Sequence, residues 1–349
     1  MKKIRTLIFL ACATSFFAAC SSNNSTAEEY IEEIPVGQSI VSEDIRVTEN
    51  ARSYLFDTLQ VKEAKLVFRN DETGNLVYIH FLKDSTEIYE FHSGIDIYHP
   101  TISPDGRYVA YSTSLEGAPR TSHLYVQDLS ENSPKIVRLD DEGAIPRWRV
   151  HSSQDTVLIY VDNAQINVEN SDWNASKTKK VSFKNGQFGT PKFLLQGAYH
   201  GGVTEDLRLA VTGARYLRVH SEIGGVSKDT IWYNSAQVCN VSLSTDGSLR
   251  TLFLDLGDEQ GIEFSKEEYL PHHHILIADS TGKLVQALPA LPNYSFDHPE
   301  WVYGSDRLIL FTLTDNAHAN SAIIDAQDSS VRVLAKGNEI WHPDIWFEK

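Results

Sequence analysis

The chain of 349 residues contains only three cysteines and one methionine. Cys12 and Cys20 fall within or just after an apolar N-terminal stretch, so Cys239 is the one thiol left for the body of the protein. That excludes an internal disulfide. Beside Val238 and Val241 in an expected inner strand, Cys239 reads as a small buried hydrophobe rather than a nucleophile. Positive charge is also scarce. Lys and Arg number 31 against 47 Asp and Glu, a formal net charge of -16. Such a surface excludes nucleic acid and an anionic membrane face as partners of the bulk field. It is compatible with cations or neutral sugars, although solubility alone accounts for it. No apolar run reaches the roughly 20 residues a membrane-spanning helix needs. There is no Gly-x-Ser-x-Gly elbow, no Gly-x-x-x-x-Gly-Lys phosphate loop and no dinucleotide fingerprint. Gly201-Gly202 and Gly224-Gly225 read as turns, and no cofactor is expected.

What the chain does have begins with an address. Lys2, Lys3 and Arg5 form a basic start, and Leu7 to Phe17 is an apolar stretch of signal-peptide length. It ends in Phe17-Ala18-Ala19-Cys20, which resembles the lipobox of bacterial lipoproteins, with Phe17 in place of the usual aliphatic residue. The resemblance implies cleavage before Cys20 and lipidation of its thiol. Residues 1–19 are then a signal peptide, and 20–37, rich in Ser, Asn and acids, a flexible tether. Several acyl chains give stable anchoring, at about 0.8 kcal/mol for each buried CH₂. Ser21 after the cysteine resembles the pattern sorted to an outer membrane. Losing Lys2, Lys3 and Arg5 with the signal takes the net charge three lower, from -16 to -19.

Residues 38–63 form a lead-in, with Arg46 to Phe56 read as one helical turn or irregular chain. From residue 64 onward the chain is a series of short β-branched and aromatic runs punctuated by turn residues. The stretch His99-Pro100-Thr101-Ile102-Ser103-Pro104-Asp105-Gly106 opens the clearest unit. Thr101–Ser103 is its first strand, Pro104–Arg107 the turn, and Tyr108–Ser112, His123–Asp128 and Lys135–Leu139 the remaining strands. Four antiparallel strands in about 45 residues make a propeller blade. Degraded copies of the opening recur around Pro146, His200, Cys239, His298 and His342. Expected strands of the unit that opens at His200 include Tyr216–His220 and Thr230–Tyr233. The last copy, Ile340 to Phe347, has no blade behind it, while the segments at Leu66, Leu76 and Glu87 lack an inner strand. Joined, they complete one blade and close the ring. Five internal units plus this composite give an all-β chain with a single six-bladed β-propeller over residues 64–349, or seven blades if residues 38–62 contribute strands.

The octapeptide with Tyr108-Val109-Ala110-Tyr111, the openings Asp297-His298-Pro299-Glu300-Trp301 and Trp341-His342-Pro343-Asp344-Ile345-Trp346, and the turn Ser244-Thr245-Asp246-Gly247 resemble the repeat of TolB-like propellers, a branch related to WD-repeat proteins. Ile145-Pro146-Arg147-Trp148-Arg149 and Gly197 to Gly202 also resemble a paralogous family of exported propeller proteins in fibre-degrading bacteria.

His99, His200, His298 and His342 occupy one place in the repeat, just before the inner strand. In a closed ring they gather at one end of the channel and are candidate metal ligands. The plainer expectation is that each serves repeat architecture. Oligogalacturonate lyases, which are similar to TolB-like propellers, hold a metal through channel histidines, so an enzyme is the rival reading. His272-His273-His274 reads as a solvated strand start, in which at most His272 and His274 share a face. Among six tryptophans, Trp173 in the polar insertion Asn163–Lys179 is the candidate for an exposed sugar-stacking face, against a plain packing role. These observations lead to a cell-envelope lipoprotein, anchored at Cys20, whose propeller binds or scaffolds protein or polysaccharide partners. The alternative is a metal-dependent polysaccharide lyase-like enzyme.

Overall fold

A computed structural model describes residues 37–40, 44–117, 120–129, 135–151, 155–163, 170–213, 215–315 and 317–349. The expected signal peptide, Cys20 and all of the tether except Gly37 lie outside the described residues. Among the described residues no helix is long and apolar enough to cross a membrane.

Six antiparallel sheets build a six-bladed propeller. Blade 2 follows its sequence pattern closely, with strands Tyr98–Ile102, Tyr108–Ser112, His123–Asp128 and Ile136–Glu142 in that order. Blade 3 opens on Ala144–Val150, blade 4 on Gly202–Val203, blade 5 on Gln237–Leu243 and blade 6 on Ser295–Trp301. Blade 1 is the composite. The C-terminal strand Ile340–Glu348 pairs with Glu63–Asn70, bringing Ile345 opposite Leu66 and Trp346 opposite Lys65. That pairing covers what would otherwise be two open edges.

The lead-in does not make a seventh blade. Gly37–Ile40 pairs with Thr86–His92 at the rim of blade 1, and Arg46–Val47 pairs with Ala335 and Lys336 at the rim of blade 6. Between them Glu49–Ser53 is one α-helical turn, followed by a π-helical turn over Tyr54–Thr58. Blade 4 also departs from expectation. Arg215–Tyr216 leaves it to pair with blade 5, and its last strand is Val226–Ile231 rather than Thr230–Tyr233. Gly224 and Gly225 both take positive φ, so the hairpin turns there, before the run at Thr230.

Strand side chains alternate between two buried faces. In Glu63–Asn70, Leu66 and Phe68 pack toward blade 6 with Leu310 and Ile323, while Val67 packs toward blade 2 with Val109 and Tyr111. This explains the near-continuous apolar runs, because neither face meets water. Six apolar clusters result, one at each seam between blades. The Pro-Asp-Gly turn of blade 2 is locked to blade 1. Trp346 Nε1 donates to the Pro104 carbonyl at 2.8 Å, and Lys65 Nζ donates to the Gly106 carbonyl at 2.9 Å. Gly106 has φ +70°, and a Cβ there would lie 2.7 Å from the Trp346 ring, so only glycine fits.

Candidate functional site

A β-bulge interrupts the first strand of blades 1, 2, 3, 5 and 6 at the same place. The bulged residue is His342, His99, Ile145, Asn240 or His298, each with φ between 49° and 52°. Blade 4 instead carries His200 followed by Gly201 and by Gly202 at φ +135°. A bulge re-aims side chains. Here it turns this position, and the one two residues later, toward a central cavity of about 90 Å³.

All four expected histidines line that cavity. Three of them meet. The rings of His99 and His298 each lie 3.9 Å, centroid to centroid, from the ring of His342. Desolvation holds all three below the usual histidine range, far below it for His99 and His342, where neighbouring positive charge adds to the effect, and less so for His298, where Asp297 opposes it. His200 has other partners. Its Nδ1 is 2.9 Å from Thr212 Oγ1, and its Nε2 is 3.5 Å from Glu116 Oε1. Blade order explains the division. His298, His342 and His99 come from blades 6, 1 and 2, which are consecutive once the ring closes, whereas Ile145 and Asn240 flank His200.

Two residues further along each of the five bulged strands lies a polar belt of Asp344, Thr101, Arg147, Ser242 and Glu300. Arg147 of blade 3 and Glu300 of blade 6 form a bidentate pair across the channel, at 2.6 and 2.7 Å. The Arg147 guanidinium also donates to the His200 carbonyl. Asp344 Oδ2 accepts from Thr101 Oγ1 at 2.9 Å and from the Ile102 N–H at 2.6 Å. Burial pushes its carboxyl up to about 6 despite those bonds. Ser242 does the same task between blades 5 and 6, accepting from the Trp301 N–H. At these two seams the belt residue of one blade satisfies a backbone donor of the next.

A carboxylate–imidazole cluster adjoins the histidine layer, and the sequence reading did not single it out. Asp297 precedes His298, where the other copies have Tyr98, Ala144, Tyr199, Cys239 and Trp341. Its Oδ2 lies 2.9 Å from His318 Nε2. His318 Nδ1 lies 3.3 Å from Glu339 Oε2, which accepts from Trp341 Nε1 at 2.7 Å. Asp297 Oδ1 accepts from Asn240 Nδ2 and from the His298 N–H. Although burial opposes it, the His298 and His318 rings hold the Asp297 carboxyl well below the usual range. His318 is raised despite burial, because Asp297 and then Glu339 favour its charged form. Asp297 was legible as the one carboxylate at its place in the repeat; His318, in a hairpin loop, carried no signal.

The other expectations fare differently. Trp173 is not exposed: only 6 % of its surface reaches solvent. Its ring packs edge-on against Tyr199, beneath the Arg218 guanidinium, and closely under Gly197. The insertion folds back as the helical turn Asn170–Ala175, which buries it. The histidine triplet is not a solvated strand start. His274 is buried, bonded to Glu267 and tilted on Tyr269, while His272 precedes the strand and meets the Cys239 sulfur at 3.0 Å. Cys239 is partly buried, and desolvation pushes its thiol up to about 12, consistent with an inert side chain.

On the opposite face, where the strand-linking turns lie, a recess of about 590 Å³ is lined by Arg149, Thr204, Glu205, Asp206, Arg208 and Tyr303, among others. Arg149 and Tyr303 reach both this recess and the central cavity.

The fold and site define a six-bladed β-propeller with a polar, histidine-capped channel. Solved structures to which it is similar include TolB from Acinetobacter baumannii, at 14% identity over 84% of this chain and 70% of that one, with a TM-score of 0.47. A putative TolB from Agrobacterium tumefaciens is 12% identical over 83% of this chain and 99% of that one, with a TM-score of 0.43. A puromycin-hydrolyzing peptidase from Mycobacterium tuberculosis is 12% identical over 86% of this chain and 45% of that one, with a TM-score of 0.42. No family model matches the chain, and no curated protein matches it. The fold rests on the six paired sheets themselves.

Proposed function

We propose that this protein is a cell-envelope lipoprotein, anchored through Cys20 to an outer membrane, whose propeller is a non-catalytic binding module. The observation that carries the reading is the turn-face recess. It has the volume of a ligand-binding cleft. Its lining mixes Arg149 and Arg208 with Glu205, Asp206 and the Tyr303 ring, a combination suited to a protein loop or a short glycan. Behind it the Arg147–Glu300 pair bars the channel, so a partner engages a face rather than threading the ring. The test is capture from detergent-solubilised membranes by the full chain and by a Tyr303→Ala, Arg208→Glu variant, alongside glycan binding. Loss of the same bound protein or glycan in the variant is expected; identical binding by both overturns the recess as the site. Cys20→Ser should move the protein from the membrane to the soluble fraction, and retention in the membrane counts against the anchor.

A second reading, a metal-dependent polysaccharide lyase-like enzyme, is favoured by the neutral imidazoles of His99, His298 and His342. Cleavage of uronate polymers that is abolished by His342→Ala would support it. A protein inert on such polymers, with or without added divalent metal, would remove it.

A further inference from the structure

We propose that Asp297, His298 and His318 form a binding site for a divalent first-row transition metal at the seam between blades 6 and 1. The site is separate from the turn-face recess and does not depend on the binding-module reading. One ligand atom from each residue can be chosen so that all three lie within 4.8 Å of one another. Around a tetrahedral ion with bonds of about 2.0–2.1 Å, ligand atoms stand roughly 3.3 Å apart. Asp297 Oδ2 and His318 Nε2, at 2.9 Å, need to open by a few tenths of an ångström, and the His298 ring needs to swing inward.

The surroundings assign each donor atom a role. His318 Nδ1 faces Glu339, and its Nε2, which faces Asp297 Oδ2, would release its proton on taking the ion. Glu339 is itself fixed by Trp341. A carboxylate holding the far nitrogen of a ligating histidine is the usual outer support of a metal site. On Asp297, Oδ1 is occupied by the Asn240 amide and the His298 N–H, so Oδ2, which faces only His318 Nε2 within the cluster, is the ligand atom. His298 Nδ1 is buried and makes no hydrogen bond. Two imidazoles and one carboxylate, with further positions open, suit zinc or ferrous iron rather than calcium or magnesium, which require oxygen.

Calorimetric titration of Zn²⁺ into the full, detergent-solubilised chain, previously stripped with EDTA, tests the site. One saturable ion per chain is expected. Asp297→Asn and His318→Gln should each weaken binding at least 100-fold, and Glu339→Gln by about 10- to 100-fold. No saturable binding by the wild type, or binding unchanged in Asp297→Asn and His318→Gln, overturns the assignment. Should a variant not fold, histidine-labelled wild type decides by NMR. One equivalent of Zn²⁺ should shift the ring signals of His298 and His318, and undisturbed signals overturn the proposal.

Discussion

Left-handed backbone at a non-glycine residue costs on the order of 1–3 kcal/mol and survives only where its surroundings enforce it. His99, Ile145, Asn240, His298 and His342 all adopt it. The return is functional placement, since the bulge aims these side chains and the belt residues beyond them into the channel. Asp344 shows the consequence most clearly. Its folded carboxyl titrates near 6, against 3.8 when unperturbed. Between those values the folded chain keeps a proton that the unfolded chain has lost, so stability falls as pH rises through about 6. Asp344→Asn removes this slope. Between pH 4 and 7.5 the variant should gain on the order of 1–3 kcal/mol relative to wild type, read from urea unfolding at several pH values. Parallel pH profiles would show that Asp344 is not desolvated.

At the scale of the element, the unit is the bulged first strand with its Ser-Pro-Asp-Gly-type turn. Every such strand is followed by its partners in sequence except the last, Ile340–Glu348, which seals blade 1. It buries Ile340 and Ile345 against Leu66 and Phe68 and offers Asp344 to blade 2. Deleting residues 340–349 removes a whole sheet edge, at a cost comparable to the roughly 5–15 kcal/mol that holds a typical domain together. The expected result is loss of the cooperative thermal transition; a transition at the wild-type temperature would refute ring closure. Most of this was legible beforehand, because turn residues and short β-branched or aromatic runs are local properties. What was misjudged was local competition, since the Gly224-Gly225 turn overrode the β-branched run at Thr230, whereas Trp173 took the packing role weighed against exposure.

Across the whole molecule, the Arg147–Glu300 pair joins opposite blades through the channel. Both side chains are mostly buried, at 16 % and 30 % exposure. Removing one partner strands the other charge, which costs about 3–5 kcal/mol for a fully buried pair. With this exposure, Glu300→Ala should cost on the order of 2–3 kcal/mol, and Arg147→Met in that background should recover most of it. A double-mutant cycle by urea unfolding measures the coupling; additive effects would mean that the pair contributes nothing as a pair.

Sequence pattern alone established the period, the composite first blade and the equivalence of His99, His200, His298 and His342, and it narrowed the ring to six or seven blades; the pairing of the lead-in strands at the rims of blades 1 and 6 made it six. Given ring closure, the pattern even implied that three of these histidines come from consecutive blades. Only the tertiary structure decided that His200 is held by Thr212 and Glu116, and that Asp297, His318 and Glu339 converge beside the histidine layer. The physical reason is that a repeat records which positions are equivalent, through backbone patterns acting over a few residues. The site depends on loop side chains and on partners in other blades, and those distances exist only once the ring has closed.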